Sequence, residues 1–393
     1  MDLDRLRALD ASDPLARFRD AFALPEGVIY MAGNSLGPPA RAAAARLAEV
    51  VRHEWGEDLV AAWGRRDWIG APQRVGAKIA PLIGARASEV IVTDSTSVNL
   101  HKLLAAALAS RPGRRTVLTV EEDFPTDLYV AGATAGLLGD ARIVRAPRAG
   151  LETAIGEDTG VVLLTHAHYR SGEVWDMAAV NAAARAAGAW TLWDLSHSAG
   201  VVEVDLSGSG ADLAVGCGYK YLNGGPGAPA YLYVAERLQP QLHNPVAGWM
   251  GHAAPFDFSA NYRPADGVRR FLAGTPPILS LLALESAIDA IAGAEPAALA
   301  AKARRLGDLF LELIAERCPG LERACPGPRE RRGGHVAFRH ADAQGLSDRL
   351  AAKGLVGDVR PPDLLRFGIS PLYVRYEDVG RAAELIAEAL GGG

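Results

Sequence analysis

Residues 189–227 read AWTLWDLSHSAGVVEVDLSGSGADLAVGCGYKYLNGGPG. One apolar run ends in Asp194, and a second is followed by Lys220 in a glycine-rich bend. Continuous apolar runs of this length are typical of strands buried on both faces of a parallel sheet. Open α/β sheets bind ligands at the carboxyl ends of such strands. The stretch therefore predicts an acid and a lysine at the ligand-binding edge of a sheet.

The same pattern continues on both sides of this stretch. From about residue 88 to 234, short β-rich runs alternate with helix-like segments, which predicts a three-layer α/β domain with a mostly parallel seven-stranded sheet. Helices are predicted over 98–109 and over 177–187, the latter with Asp176 as N-cap and Gly188 at its end. The predicted strands are 90–92, 116–120, 141–144, 161–165, 189–193, 213–216 and 230–234.

After Pro277 the pattern changes to long alanine- and leucine-rich segments, which predicts a smaller α+β domain. We expect an N-terminal segment over 1–50 that packs with the small domain, a large domain over 51–276 and a small C-terminal domain over 277–393. Further helices are predicted at 41–51, 278–291, 296–317 and 377–390.

Composition excludes several classes of protein. The 393 residues carry a formal charge of −5 with acids and bases interspersed, which gives no basic footprint for nucleic acid. The sequence has no apolar run long enough for a membrane span, and its first residues mix acids and bases, unlike a secretory signal. The three cysteines form no disulfide framework or metal motif. We expect a cytoplasmic protein.

Asp194 and Lys220 suggest a specific chemistry. An aldehyde cofactor that serves as an electron sink needs a lysine to hold it as a Schiff base and a carboxylate to keep its ring nitrogen protonated. His197 lies three residues after Asp194, where it could bond to the acid or to the cofactor. A lysine after a strand is more often a surface charge, but the glycine-rich bend favours the cofactor hypothesis.

A zinc site is the alternative interpretation of the same acid and histidine. Asp194 and His197 could bind a metal together with His166 and His168. No compact ligand motif joins these four residues, so the sequence predicts no metal.

Two further segments fit a phosphorylated, flat cofactor. Thr96 and Ser97 open a predicted helix after a strand, and helix N-termini bind phosphate, although hydroxyls there are often only caps. Phe124 follows another strand and could stack on a ring, although a turn with a packed aromatic explains it equally well.

Taken together, these segments resemble those of the kynureninase family, pyridoxal-phosphate enzymes of the aspartate-aminotransferase fold superfamily (fold type I). The resemblance runs nearly end to end, and the tyrosine–lysine and Gly-Trp-Met-Gly-His blocks are its most specific parts. The segments that carry it are residues 33–37, 97–101, 124–127, 193–197, 219–227, 248–252 and 366–373.

The resemblance implies roles for individual residues. Lys220 would hold the cofactor, Asp194 would bind its ring nitrogen with His197 nearby, Phe124 would stack on the ring, and Tyr219 would move protons in later steps. Arg366 would grip the substrate carboxylate with its bidentate fork. Residues around the phosphate would be Thr96, Ser97, Tyr219, Trp249 and Thr275, with Thr165 and Asp127 also at the cofactor. Further substrate contacts would come from His252, Asn34 and Ser35.

The implied reaction is hydrolysis of L-kynurenine to anthranilate and L-alanine, a step of tryptophan breakdown. The implied assembly is a homodimer with shared sites, in which Trp249 and Thr275 come from the partner subunit. Animal members that favour 3-hydroxykynurenine carry a histidine and an asparagine where this chain has Ala61 and Thr275. The sequence therefore predicts weaker activity on the 3-hydroxy compound.

Two other functions compete with this prediction. A cysteine desulfurase would share the fold and the acid–lysine pair, but it needs a mobile nucleophilic cysteine, and no motif marks Cys318 or Cys325 as reactive. A cofactor-binding regulator that has lost catalysis would usually carry a DNA-reading element, and the sequence contains no basic helix-turn-helix stretch.

Overall fold

The computed structural model describes residues 3–391 of the chain. The strands in this range are β1 (Ile29–Tyr30), β2 (Val90–Val92), β3 (Thr116–Val120), β4 (Arg142–Ala146), β5 (Thr159–Thr165), β6 (Trp190–Asp194), β7 (Leu213–Gly216), β8 (Tyr231–Val234), β9 (Glu322–Arg323), β10 (His335–Arg339), β11 (Leu355–Val356), β12 (Asp358–Arg360) and β13 (Leu364–Gly368).

The same range contains thirteen α-helices, six of which lie over segments that the sequence predicted to be helical. They are α1 (Leu3–Ala11), α2 (Arg41–Glu49), α3 (Ala62–Arg65), α4 (Ala71–Ile79), α5 (Thr96–Ala109), α6 (Pro125–Leu138), α7 (Leu151–Ala154), α8 (Met177–Ala186), α9 (Leu206–Ser209), α10 (Ile278–Ala290), α11 (Pro296–Arg317), α12 (Ala343–Ala352) and α13 (Tyr376–Gly391). One difference is at α2, which ends two residues early because the chain continues as a π-helical turn over Val50–Trp55.

The central sheet has seven strands in the order β2, β8, β7, β6, β5, β3, β4. Only β8 runs against the others, because it pairs antiparallel with both β2 and β7. Every residue of β3, β5 and β7 is buried, as expected of strands covered on both faces. The mostly parallel seven-stranded sheet predicted from the sequence is therefore confirmed.

The parallel strands all end at one edge of this sheet. Asp194 is the last residue of β6 and pairs across the ladder with Thr165, the last residue of β5. The segments after β3 and β7 lead to Phe124 and Lys220 at the same edge. The strand direction therefore brings residues that are distant in sequence to one place.

A smaller C-terminal domain carries an antiparallel sheet in the order β12, β13, β10, β9, as the sequence predicted. The N-terminal segment contacts this part of the chain, since β1 pairs with β11 and α1 lies against α13. Helix α10 also packs on α2 and α4, where Glu285 bonds to Arg74 and Lys78. The exact domain boundaries stay a prediction.

Membrane insertion by a helix finds no support in this fold. Within residues 3–391, the helices are all too short or too polar to span a bilayer.

Candidate active site

Lys220 lies in the bend after β7, half-buried at the carboxyl edge of the large sheet. Its Nζ is 6.0 Å from the ring centroid of Phe124 and 5.8 Å from that of Tyr219. The structure therefore brings together three residues that the sequence assigned to the cofactor. The amine faces aromatic surface, where a flat ring could lie.

Three carboxylates are buried next to this amine. Asp123, Asp127 and Asp194 are 4%, 1% and 3% exposed. Thr165 lies between two of them, because its backbone N–H donates to Asp123 at 3.1 Å, its hydroxyl also donates to Asp123, and that hydroxyl lies 3.5 Å from Asp127. Asp194 accepts a 2.8 Å bond from the backbone N–H of Ser196.

Burial controls the protonation of these acids. It raises the pKa of Asp127 well above the usual value, and the charges of Asp194 and Asp123 raise it further. Burial also raises the pKa of Asp194, whereas hydrogen bonds from Ser196 and the charge of Lys220 oppose that rise. Burial therefore favours the protonated, neutral forms of Asp127 and Asp194 unless a further positive charge lies beside them.

His197 is buried beside the same group. Burial and then Lys220 lower its pKa well below the usual value, so the imidazole is neutral at physiological pH. Its ring lies 5.7 Å from that of His335, whose pKa burial lowers to about 3. The Nδ1 atom of His197 has no hydrogen-bond partner within the described chain. A buried polar atom of this kind points to a missing ligand or water.

The histidines of the zinc hypothesis have other partners. His166 Nδ1 lies 2.9 Å from the hydroxyl of Ser198, and His168 lies 2.9 Å from the Glu122 carbonyl and from Ser171. Residues 3–391 contain no group of three or more histidines, cysteines or acids that could hold a metal ion.

The phosphate candidates Thr96 and Ser97 form the first turn of α5. Ser95 caps this helix by accepting from the Val98 N–H at 3.4 Å, which leaves the hydroxyls of Thr96 and Ser97 half-exposed. Lys102 lies fully buried behind the turn and bonds to Asp94. A helix N-terminus with a nearby cation is a suitable seat for phosphate.

Trp249 and Thr275 are exposed at the surface instead, and His252 is buried. Trp249 is 39% exposed and its ring meets that of Phe256. The ring nitrogens of His252 bond locally, one accepting from the Ala254 N–H and the other 3.2 Å from the Asn261 carbonyl. Thr275 lines a cavity of about 510 Å³, and the same cavity is lined by Trp55, Leu59, Val60, Trp63 and Trp68.

Arg366 is completely buried on β13 and is already paired. It donates to Asp358 through Nε at 2.8 Å and again through Nη2, to Ser35 at 3.1 Å and to the Tyr169 carbonyl. The bidentate fork that the sequence assigned to substrate thus engages Asp358. Arg366 and Arg360 both donate to Ser35 and both pair with Asp358, so these four side chains form one tight cluster. Asp358 is largely buried in it.

Asn34 has unsatisfied polar atoms in the same region. It is 0% exposed, and neither its Nδ2 nor its Oδ1 has a partner within residues 3–391. The glycines on either side permit this close approach: a Cβ at Gly37 would lie 2.3 Å from the Lys220 carbonyl, and one at Gly33 would lie 2.1 Å from the Tyr373 hydroxyl. The Gly-Asn-Ser-Leu-Gly segment therefore lies directly on the lysine bend.

Sequence reasoning did not find several members of the site. It selected Asp127 but not Asp123, which comes soon after β3 and could have been found by its position. Asp358, Tyr169 and His335 were also missed. Asp358 stands on a three-residue strand too short to give a periodic signal, and Tyr169 contributes a backbone carbonyl that no side-chain motif reveals.

Comparisons with known proteins give a consistent result. Residues 299–386 match a family model described as the kynureninase C-terminal domain. A kynureninase from Deinococcus radiodurans is 51% identical, covering 99% of this chain and 97% of that protein.

Solved structures show the fold. An apo cysteine desulfurase from Thermococcus onnurineus superposes with a TM-score of 0.82 at 18% identity, covering 96% of this chain and 98% of that one. The enzyme C-DES, with glycine covalently linked to its pyridoxal-phosphate cofactor, superposes at 0.79 with 16% identity, covering 94% of this chain and 98% of that one. These likenesses at low identity concern the fold alone.

The desulfurase alternative also lacks its nucleophile. Cys318 and Cys325 are 5% and 8% exposed, and burial raises the pKa of both thiols. Buried thiols of this kind are inert. About half of the aligned positions are identical in the Deinococcus radiodurans kynureninase over nearly the full length. This sequence identity distinguishes the kynureninase family from other enzymes of the same fold. The chain belongs to the kynureninase family of pyridoxal-phosphate enzymes.

Proposed function

We propose that this chain hydrolyses L-kynurenine to anthranilate and L-alanine with pyridoxal phosphate held at Lys220. The observation that carries the proposal is the half-buried amine of Lys220 facing Phe124, with Asp194 buried at the end of the neighbouring strand. When bound, the cofactor supplies an electron sink for the carbon next to the substrate amine. The family relation supports the same reaction.

The residues present fit this cofactor. Asp123, Asp127 and Asp194 are buried beside one lysine, so a protonated ring nitrogen would add a second positive charge that favours the ionised form of Asp194. We assign that nitrogen to Asp194, with His197 nearby, and the ring face to Phe124. Thr96 and Ser97 would bind the phosphate at the N-terminus of α5. Thr165 and Asp127 support Asp194 from behind.

Two residues would move protons. The Nζ atom of Lys220 would take the α-proton of the bound substrate. Burial is the main cause that raises the pKa of Tyr219, and the charge interaction with the neighbouring Cys217 raises it further. Its hydroxyl therefore stays protonated at neutral pH and can donate in the later steps.

Arg366 and Asn34 would bind the amino-acid end of the substrate. Arg366 is held rigid by Asp358, and the unpartnered amide of Asn34 offers a donor and an acceptor nearby. Ser35 would act through the arginines that it contacts, because its hydroxyl already donates to Asp358.

We further propose a homodimer in which Trp249, His252 and Thr275 complete the site of the other subunit. The cavity around Thr275 is bordered by Trp55, Leu59 and Val60, which are 55%, 61% and 82% exposed. Exposed apolar side chains in one patch indicate a surface that another protein covers. A second copy would bury this patch and bring the outer residues to Lys220.

A cytoplasmic location is also proposed, because all three cysteines are free and buried, as is usual in a reducing compartment. Fractionation of the native cells should place the activity with the cytoplasmic fraction, and activity in a secreted fraction would contradict this.

Lys220→Ala and Tyr219→Phe should separate cofactor binding from turnover. The first should lose the visible absorbance of the bound cofactor and all formation of anthranilate. The second should keep the absorbance and lower kcat by roughly 10²–10⁴-fold, the usual contribution of a general acid. Absorbance and anthranilate fluorescence measure both effects, and Lys353→Ala, which removes an exposed lysine paired with Glu388, is the control.

Native protein that binds kynurenine without releasing anthranilate would contradict the proposed function and support a binding module. Unchanged turnover of Tyr219→Phe would remove Tyr219 from proton transfer.

The ring of the substrate gives the next prediction. Because Ala61 offers no polar group, kcat/KM should be higher for kynurenine than for 3-hydroxykynurenine. Steady-state kinetics on both compounds measures the ratio. The double substitution Ala61→His with Thr275→Asn should lower the ratio of kcat/KM for kynurenine to kcat/KM for 3-hydroxykynurenine. A higher kcat/KM of the native enzyme for the 3-hydroxy compound would contradict the prediction.

Assembly can be tested at the apolar patch. Sedimentation velocity should give a mass about twice 41.4 kDa for the native chain. Val60→Asp should shift the mass toward that of the single chain, since it places a charge in the proposed interface. Leu137→Asp is the control, because Leu137 is similarly exposed (77%) on the distant surface of α6. A native mass near 41.4 kDa would contradict the homodimer.

The buried acids predict a pH dependence of stability. The pKa of Asp127 is higher in the folded than in the unfolded chain. The free energy of unfolding therefore falls as pH rises from about 4 through the folded pKa, because ionisation of this buried acid opposes folding. Below about pH 4 the acid is protonated in both states, so this loss of stability is absent. Asp127→Asn should therefore raise the Tm of the cofactor-free protein at pH 8 and change it little at pH 4. Thermal unfolding at both values measures this, with the exposed Asp348→Asn as control. An equal change at both pH values would argue against the mechanism.

A further inference from the structure

The guanidinium of Arg366 has little capacity left for a substrate. An arginine has five N–H donors. In the described chain four of them have acceptors: two on Asp358, one on Ser35 and one on the Tyr169 carbonyl. One N–H on Nη1 remains, so Arg366 alone cannot hold a carboxylate through two parallel bonds.

Displacement of Asp358 would not solve this problem. Asp358 is largely buried, and hydrogen bonding and charge from Arg366 together with Ser35 hold its pKa below the usual value despite burial. Breaking a buried pair leaves an uncompensated charge, which costs several kcal/mol in proteins generally. A substrate carboxylate therefore needs a second donor that is already nearby.

Arg360 stands in position to supply it. Strands β12 and β13 are antiparallel, with Asp358 opposite Arg366 and Arg360 opposite Leu364. Residues two apart on a strand point to the same face, so Asp358, Arg360 and Arg366 share one face of the sheet. The contacts agree, since Arg360 Nη2 donates to Ser35 at 3.3 Å and Nη1 lies 3.3 Å from Asp358.

Arg360 still has donors to offer. Its Nη1 donates to the Val359 carbonyl at 2.9 Å, while its Nε and one N–H of Nη2 have no acceptor among residues 3–391. Its side chain is 33% exposed, whereas that of Arg366 is 0% exposed. Besides the one free N–H of Arg366, two free donors of the cluster are therefore on its more exposed member, Arg360.

The charge of the cluster fits a monoanion. Two arginines face one aspartate, and Ser35 is neutral, which leaves one positive charge in excess. The charges of both arginines also reach buried His197, so this excess lies within range of the residues around Lys220.

We propose that Arg360 is a second substrate-binding residue, which donates to the α-carboxylate together with the remaining N–H of Arg366, while Asp358 and Ser35 hold the two guanidinium groups in place. This inference rests on the proposed function and names the residue that completes its carboxylate site. Arg360 thereby determines selectivity for amino acids over amines.

The test compares ligands with and without the carboxylate on the holoenzyme. Arg360→Met should raise KM for L-kynurenine by roughly 10- to 100-fold with kcat changed by less than about threefold, as expected for loss of a charge-assisted hydrogen bond made in both ground and transition states. The Kd of L-alanine, measured by the change in visible absorbance, should rise by a similar factor. The Kd of kynuramine, which lacks the carboxylate, should stay within about twofold.

Arg339→Met is the matched control, because Arg339 is a half-exposed, ion-paired arginine on the neighbouring strand β10. It should leave all three values near those of the native enzyme. Arg360→Lys keeps the charge and should show a smaller loss with the same difference between ligands. If Arg360→Met does not fold, Arg360→Lys alone tests whether Arg360 binds the carboxylate.

Two results would overturn the inference: a KM for kynurenine within about twofold of native in both variants, or an equal loss of affinity for kynuramine, which would indicate a structural role. The binding measurements with L-alanine and kynuramine need no turnover. Failure of the native enzyme to form anthranilate would therefore count against the proposed function, and the Arg360 comparison would still be decided.

Discussion

The burial of three carboxylates at the carboxyl edge of the large sheet is the constraint on which the rest of this structure depends. Asp123 and Asp127 follow β3 and Asp194 ends β6, and the carboxyl ends of these two strands lie at one edge of the sheet with β5 between them. Burial of an uncompensated carboxylate costs several kcal/mol. The lysine bend and the N-terminus of α5 lie at the same edge, so the charge of the acids and the place for a cationic ring have a common origin in the sheet topology.

This edge could largely be predicted from the sequence, because its elements are long and periodic. The seven strand runs are continuous and apolar, and Asp194 and Lys220 directly follow two of them. The small domain was harder, since β9, β11 and β12 contain only two or three residues and owe their pairing to distant partners. Asp358, on β12, was missed for that reason, whereas Tyr169 follows β5 in the large domain and contributes only a backbone carbonyl. Trp249 and Thr275 are exposed in the single chain, so their proposed place beside Lys220 depends on a second copy.

The substrate end of the site depends on contacts between the two parts of the chain. Arg366 belongs to the small domain but donates to the carbonyl of Tyr169, whose ring lies 5.2 Å from that of Phe124 in the large domain. Nearby, Gly333 donates to Gly172 at 2.7 Å, which joins the same loop to the small domain. A shift of the small domain would move the carboxylate site relative to Lys220, so precise domain packing is part of the binding geometry.

The comparison with cysteine desulfurases separates what the fold contributes from what the small domain contributes. The apo cysteine desulfurase shares the topology of this chain, with a TM-score of 0.82 at 18% identity. In this chain both small-domain cysteines are buried, which removes the thiol nucleophile, while the exposed positive charge lies on Arg360 beside Asp358. Under the proposed function, the large sheet would hold the cofactor, and the short strands of the small domain would select the amino acid that reaches it.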